Sequence, residues 1–395
     1  MNAYFYVAPI IIWLSICVNG RITHYRLLLG AGLLAKLMFA YLMTYLLITQ
    51  YEFGDLHLYY GFARDLSLVR NFDEVNLLWG THIVAVLNSF IFEVFPPSIY
   101  GLATIAGISS FYYSYALIRT FDNVMINRYR FGAAALLLFL PVLGTQSGYI
   151  GKEIYVLPFL GFIFYSYRFY QRITLWIAFS IVALGLIRPY QAFVLVAAFV
   201  LTTILFTHVK SKLKTLFIIL PLLMAVLFLF GPWLSYNISI ISDIGIEKFL
   251  AETYSGGNLT LDPLPQPFTI LQNFRPFIWE AHNFMSMVAS MENMIPLAFG
   301  SIFALHYLRN RNFRSQLHSN PFLVFTSFYV ILIMLIFMYN SNIGDLARRH
   351  IYYYPQIILL GIFALSIGNR SKYNALLFEF NLNHRSKERL QKSPN

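Results

Sequence analysis

Charge is what this sequence has least of: Asp, Glu, Lys and Arg together make up 11% of its 395 residues, against roughly a quarter in an average soluble domain. Such scarcity excludes an ordinary globular enzyme. Cysteine is nearly absent too. Cys17 is the only one, and it sits inside the first apolar run, so a disulfide framework or a thiolate metal site within one chain is excluded and a small buried apolar residue is the plain reading. Acidic residues number 17 against 28 basic, a net charge of +11. That excess does not point to nucleic acid, because the basic residues are split among short loops and a C-terminal tail, a pattern that reports topology. Tandem repeats and low-complexity segments are also lacking, and only the last twenty or so residues read as a solvated tail.

What the sequence has instead is apolar length. Hydrophobic residues make up 58% of the chain, and most fall in runs that approach or exceed the roughly 20 helical residues a hydrocarbon core requires. In lipid such runs must be helical, since unpaired backbone groups find no partner there. Candidate spans are 4–18, 27–49, 99–118, 131–146, 154–168, 173–187, 190–207, 215–234, 292–308, 321–339 and 351–368. The expectation is an all-α, polytopic membrane helical bundle of about eleven transmembrane helices. It forms a single integral-membrane domain over 1–368, with outer loops 50–98 and 235–291 carrying short helices, and a cytoplasmic tail over 369–395. The first run, Tyr4 to Val18, has neither a basic segment before it nor a cleavage site behind it, and reads as a retained helix.

Basic clusters at Arg21–Arg26, Arg119–Arg130, Arg168–Arg172, His208–Lys214, Arg309–Arg314 and from Arg370 onward all fall on one side if the amino terminus is outside and the carboxyl terminus inside. The positive-inside rule makes that side the cytoplasm. The threading requires that His82 to Phe95 not cross. At about 14 residues, with Asn88 and Glu93 within it and Pro96-Pro97 behind it, that stretch is short for a span and suits an interfacial or re-entrant helix. Most of the acidic side chains then gather on the outer face, where a polar substrate would approach.

Five outer segments carry residue types suited to chemistry. The first loop opens Gly54-Asp55-Leu56-His57-Leu58-Tyr59-Tyr60, a carboxylate at a helix exit beside aromatic platforms for a sugar ring; an interfacial aromatic belt with a capping Asp reads equally well. Ser147-Gly148-Tyr149-Ile150-Gly151-Lys152-Glu153 puts a glycine turn and a cation before a helix N-terminus, where a phosphate would be stabilised; the alternative is a snorkelling Lys152 paired with Glu153. Arg188-Pro189-Tyr190 is an entire interhelical connection. Its arginine lies close to the acyl boundary and requires an anion, from a substrate or from another helix. Asn273 through Asn283 places Arg275, Trp279, Glu280 and His282 within one or two turns, a mixture suited to carbohydrate recognition or to a rigid proline-shaped lid. Nearby Glu292 stands at a span terminus, where it would cap a helix or serve the site. Last, Arg348-Arg349-His350 precedes Tyr352-Tyr353-Tyr354-Pro355; outer-face arginines run against the topological bias and are expected to bind anions. Lys36, inside the second span, either snorkels or meets an acidic partner. A divalent metal stays open only as a pairing of Asp55 with His57, too few ligands to define a site.

These features resemble the bacterial polytopic glycosyltransferases of the GT-C type and the related Wzy-like polysaccharide polymerases. The resemblance covers about residues 50 to 360. It rests on Asp55 with Tyr60, Lys152-Glu153 after the Ser-Gly turn, Arg275-Pro276 with Trp279-Glu280, and Arg348-Arg349 before the Tyr-rich span. It implies a multi-pass protein of the bacterial inner membrane, with a saccharide on undecaprenyl phosphate or diphosphate as donor and other polysaccharide-assembly proteins as further partners. In such an enzyme Asp55, and with it Glu280, would be the catalytic carboxylates. Lys152, Arg188, Arg275, Arg348 and Arg349, with Glu153 and His282, would hold the departing phosphate and its surroundings, while Tyr60 and Trp279 faced the sugar. Polymerisation is favoured over addition of a single sugar. The rival class is a flippase for the same lipid-linked saccharide, which should line its helices with polar residues across the midplane.

Overall fold

The computed structural model describes residues 26–49, 57–69, 81–94, 97–122, 125, 127–206, 221, 264, 268–281, 284–338 and 343–367. The expected span 4–18, the expected span 215–234 apart from residue 221, Cys17, Asp55, His282 and the tail 369–395 lie outside them. Among the described residues the structure is helical throughout, without a strand.

Two helices, Arg26–Thr49 and Ser286–Arg309, are long and apolar enough to cross a membrane by themselves. Two bent pairs, His82–Val94 with Ile99–Phe121 and Arg311–His318 with Pro321–Phe337, bring the number to four if each is one span. Shorter apolar helices run over Tyr129–Phe139, Leu175–Ile187, Pro189–Leu205 and Tyr354–Ile367. The sequence therefore expects more crossings than the helices by length and composition supply.

Local chemistry explains where these helices begin and break. Ser98 accepts from Gly101 N at 3.2 Å, Thr174 from Ile177 N at 3.3 Å, and Asn320 from Phe322 N at 3.1 Å; each satisfies a backbone donor that the first turn leaves orphaned. The span expected over 131–146 is broken. Asn127–Phe139 ends, Leu140 turns extended at φ −60°, ψ 122°, and a new helix, Pro141–Ser147, starts on the proline. Pro141 has no N–H to give the preceding helix and its ring disfavours helical geometry at Leu140. The stretch expected not to cross, 82–95, is helical over Thr81–Val94 and turns by 113° into Ile99–Phe121, so the two do not form one straight span.

Ile99–Phe121 is the hub. It packs against both Arg26–Thr49 and Glu153–Tyr170 and is buried along nearly its whole length. Pro189–Phe206 packs on Pro321–Phe337, where Phe199 stacks on Phe325 at 4.3 Å and Phe164 meets Tyr329 edge-on at 5.2 Å, arrangements that the ring quadrupole favours. Small residues set the closest approaches. A Cβ on Gly361 would fall 2.5 Å from Phe299 O, so the 354–367 and 284–309 helices touch backbone to backbone, as small residues permit in membrane bundles. The outer surface is apolar as well: Leu27, Leu34, Met38 and Leu42 stay exposed along 26–49, and Leu175, Trp176 and Phe179 along 175–187. A helix apolar on its exposed face as well as its buried one suits a lipid surround.

Candidate functional site

Among the described residues, charged and aromatic side chains from four segments meet at one place. Glu153 is the first residue of Glu153–Tyr170 and places its carboxylate at that helix's positive end, where the backbone dipole favours an anion. Arg188 ends Leu175–Ile187, its N–H bonded to Leu184 O at 2.7 Å. The two side chains form an ion pair, 2% and 16% exposed. Tyr352 OH donates to the same Glu153 Oε1 at 3.0 Å, and Arg188 Nη1 donates to Tyr190 OH at 2.8 Å. The Arg188 guanidinium also lies 5.3 Å from the Tyr352 ring and 5.9 Å from that of Tyr190, within reach of a cation–π attraction. Gly151 makes the room: a Cβ there would fall 2.7 Å from Glu153 Oε2 and 2.9 Å from the Tyr149 ring.

Two more arginines come from Ile343–His350. Arg349 lies 5.9 Å from the Tyr190 ring and 4.6 Å from Phe337, and Arg348 lies 5.5 Å from Tyr149. Glu153, Arg188, Arg348 and Arg349, which the sequence singled out separately, thus belong to one neighbourhood lined by Tyr149, Tyr190 and Tyr352. Lys152 stands half-buried immediately before the Glu153 helix. The anion at that helix end is the protein's own Glu153, and Arg188 is an ion-pair partner of it.

Beneath Tyr352 the polar structure continues into the bundle. Tyr329 OH lies 3.0 Å from Gln191 Oε1 and 3.1 Å from Tyr352 O, and Gln356 Nε2 donates to Tyr113 OH at 2.8 Å. These side chains are buried, and Gln191 Nε2 and Gln356 Oε1 make no hydrogen bond among the described residues. Buried polar side chains within the expected spans therefore extend well beyond Lys36. Lys36 itself is fully buried and does not snorkel: its Nζ makes no hydrogen bond among the described residues, and the field of the Glu292 carboxylate reaches it. Glu292 also accepts from Leu143 N at 2.7 Å, serving a donor in the first turn of Pro141–Ser147 and not of its own helix.

The second expected cluster closes on itself. Glu280 pairs with Arg275, accepting from its Nε at 2.8 Å, and accepts from Phe277 N at 2.8 Å, while Arg275 Nη1 donates to Gln272 Oε1 at 3.0 Å. The catalytic candidate Glu280 thus helps to fix its own turn through both carboxylate oxygens. Asn273, which the sequence did not single out, locks that turn to the bundle: Tyr353 OH and Tyr354 OH reach its carbonyl at 3.2 and 3.0 Å, and its Nδ2 donates to Met334 O at 3.0 Å. The Tyr-Tyr-Tyr run beside two arginines was the signal for this contact. His350 stacks on Tyr354 with ring centroids 4.0 Å apart. Burial pushes its imidazole down to about 3, opposed by a backbone hydrogen bond at Asn273.

Of the expected sugar platforms, Trp279 is 79% exposed and stacks on Phe277 at 4.9 Å. Tyr60 is half-buried and packs edge-on against Phe92 at 5.6 Å. The turn holding Tyr59 and Tyr60 is tied inward by Asn88, which donates to Tyr59 O at 2.8 Å and accepts from Tyr155 OH at 2.8 Å. No group of three or more His, Cys, Asp or Glu able to hold a metal occurs among the described residues.

The fold and this centre define an all-helical protein with helices apolar and long enough for a membrane, joined around a buried arginine, tyrosine and glutamate cluster. No known protein family, no curated protein and no solved structure matches the chain.

Proposed function

We propose that the chain is a polytopic membrane glycosyltransferase of about eleven spans, GT-C-like in organisation, that acts on a saccharide linked to a polyprenyl phosphate or diphosphate at the outer face of the bacterial inner membrane. Polymerisation of cell-surface polysaccharide units, in the manner of Wzy-like enzymes, is the favoured reaction. The observation that carries this reading is the meeting of Arg188, Arg348 and Arg349 around Tyr149, Tyr190 and Tyr352, drawn from separate segments. Such a group, largely withdrawn from water, suits an oxygen-rich anion at one end of a lipid substrate.

In the proposed reaction the acceptor hydroxyl attacks the anomeric carbon of the donor. The bond from that carbon to the phosphate oxygen breaks, the polyprenyl (di)phosphate leaves with the electron pair, and the hydroxyl proton passes to a carboxylate. Asp55, outside the described residues, is the candidate base. Glu280 would enter only by releasing Arg275. The arginines would lower the barrier by stabilising charge as it develops on the leaving phosphate. Trp279 offers an exposed ring face for a sugar.

A flippase for the same lipid-linked saccharide is the second reading, and one observation favours it: the buried polar residues Lys36, Glu292, Gln191, Gln356 and Tyr329 within the helices. The surface polysaccharide of a deletion strain separates the two. Loss of long chains with a single repeat unit still attached outside is the outcome expected of a polymerase. Accumulation of lipid-linked units on the cytoplasmic side means a flippase, and a wild-type profile removes both.

A further inference from the structure

At the basic end of the bundle the helix Phe284–Arg309 gives way to Arg311–His318 across the single residue Asn310, whose side chain caps Phe313 N at 3.1 Å. Arg311–His318 then turns by 98° into Pro321–Phe337. If Pro321–Phe337 crosses the membrane, the short helix lies along the surface. Its two buried residues, Phe313 and Leu317, hold it down, with Phe313 edge-on against Phe303 at 5.5 Å. Its other side chains, Arg311, Asn312, Ser315, Gln316 and His318 among them, face outward.

Between these two helices is a hollow of about 560 Å³ whose lining includes Ile302, Leu305, His306, Arg309, Arg311 and Leu365. The positive-inside tendency explains why arginines are found at such an end. It does not explain why two of them border a concavity with an aliphatic floor. Arg309 and Arg311 are exposed and form no ion pair among the described residues. The floor continues onto exposed aliphatic surface at Leu305, 48% exposed, and Leu308, 70% exposed.

We infer that this hollow binds one anionic phospholipid. The phosphate diester is taken by the Arg309 and Arg311 guanidinium groups, which match its oxygens in planar, forked geometry, and the acyl chains run along Leu305 and Leu308. The aliphatic continuation selects a lipid over free phosphate, which would gain nothing from it. The inference rests on the membrane reading alone and not on the transferase reading.

Native mass spectrometry of the full chain, released from detergent with phosphatidylglycerol or phosphatidylcholine, tests it. The wild type retains one phosphatidylglycerol in preference to phosphatidylcholine by about tenfold or more, and the double variant Arg309→Gln/Arg311→Gln loses that preference. Equal retention of the two lipids by the wild type overturns the proposal, as does an unchanged preference in the variant. Should the variant not fold, the wild type alone decides. Its preference must shrink as salt is raised and must survive millimolar inorganic phosphate; salt insensitivity, or displacement by phosphate, overturns the lipid site. Resistance of the chain to alkaline extraction from membranes separately checks the reading on which the inference rests.

Discussion

The Glu153 carboxylate and the Arg188 guanidinium, 35 positions apart in sequence, meet as an ion pair with 2% and 16% of their side chains exposed. Neither charge has an inexpensive alternative, because each begins or ends an apolar helix. Removing one partner strands the other, and the cost of that is typically about 3–5 kcal/mol for a buried pair. Glu153→Gln is therefore expected to lower the unfolding midpoint in detergent sharply, and Arg188→Gln to do the same. The double variant should cost less than the sum of the two, with a coupling of about 1–3 kcal/mol. Additive costs would mean that the pair does not act as a unit. Gly151→Ala should mimic part of the Glu153 loss, since its methyl group would press on the same carboxylate.

Two glycines make opposite predictions from the same substitution. Gly361→Ala drives a methyl group to within 2.5 Å of Phe299 O, while an added Cβ at Gly132 meets nothing within 4 Å. The first should destabilise by about 1–3 kcal/mol through overpacking. The second lies inside Asn127–Phe139 and should stabilise by about 0.5–1 kcal/mol, as the chain loses backbone freedom it would otherwise give up on folding. Thermal unfolding of the purified variants reads both signs. A neutral Gly361→Ala would mean that these two helices are not in backbone contact.

Much of the helical layout is legible in the sequence because long apolar runs with few charges admit few solutions. The expected 27–49 is helical as Arg26–Thr49, 173–187 as Leu175–Ile187, and 321–339 as Pro321–Phe337, the last two opened by the caps Thr174 and Asn320. The break at Leu140-Pro141 was visible as a proline but masked by the hydropathy on both sides of it. The site was legible as parts rather than as an arrangement. An arginine standing alone between two apolar helices demands an anion, but nothing local says that the anion is Glu153. Likewise a lysine within an apolar helix demands company, and the field of Glu292 reaches it only because Arg26–Thr49 and Phe284–Arg309 both pack on Pro141–Ser147. Asn273 was passed over because a neutral amide carries no conspicuous signal, and it matters here by bonding across 80 positions to Tyr353.

His350 supplies a pH dependence with a definite sign. In the unfolded chain the imidazole takes up a proton near pH 6.5, whereas in the folded chain, stacked on Tyr354 and buried, it does so only at about 3. Between those values the unfolded state holds more protons, so stability falls as pH is lowered through that window, by at most about 1.4 kcal/mol per pH unit. Unfolding midpoints measured from pH 7 to pH 4 should decline in the wild type. In His350→Phe, which keeps a ring against Tyr354 and removes the titration, the decline should be shallower. Identical slopes would exclude His350 as their source.

The central claim is that the arginines gathered around Tyr149, Tyr190 and Tyr352 handle the anionic end of a lipid-linked saccharide. Its most direct measurement is turnover of a polyprenyl-diphosphate-linked saccharide by the full chain in proteoliposomes, comparing the wild type with Arg349→Gln at matched unfolding midpoints. Polymer formation by the wild type, reduced about 100-fold or more in the variant, is the predicted result. An Arg349→Gln protein that turns over at the wild-type rate, or a folded wild type that transfers nothing, would contradict it.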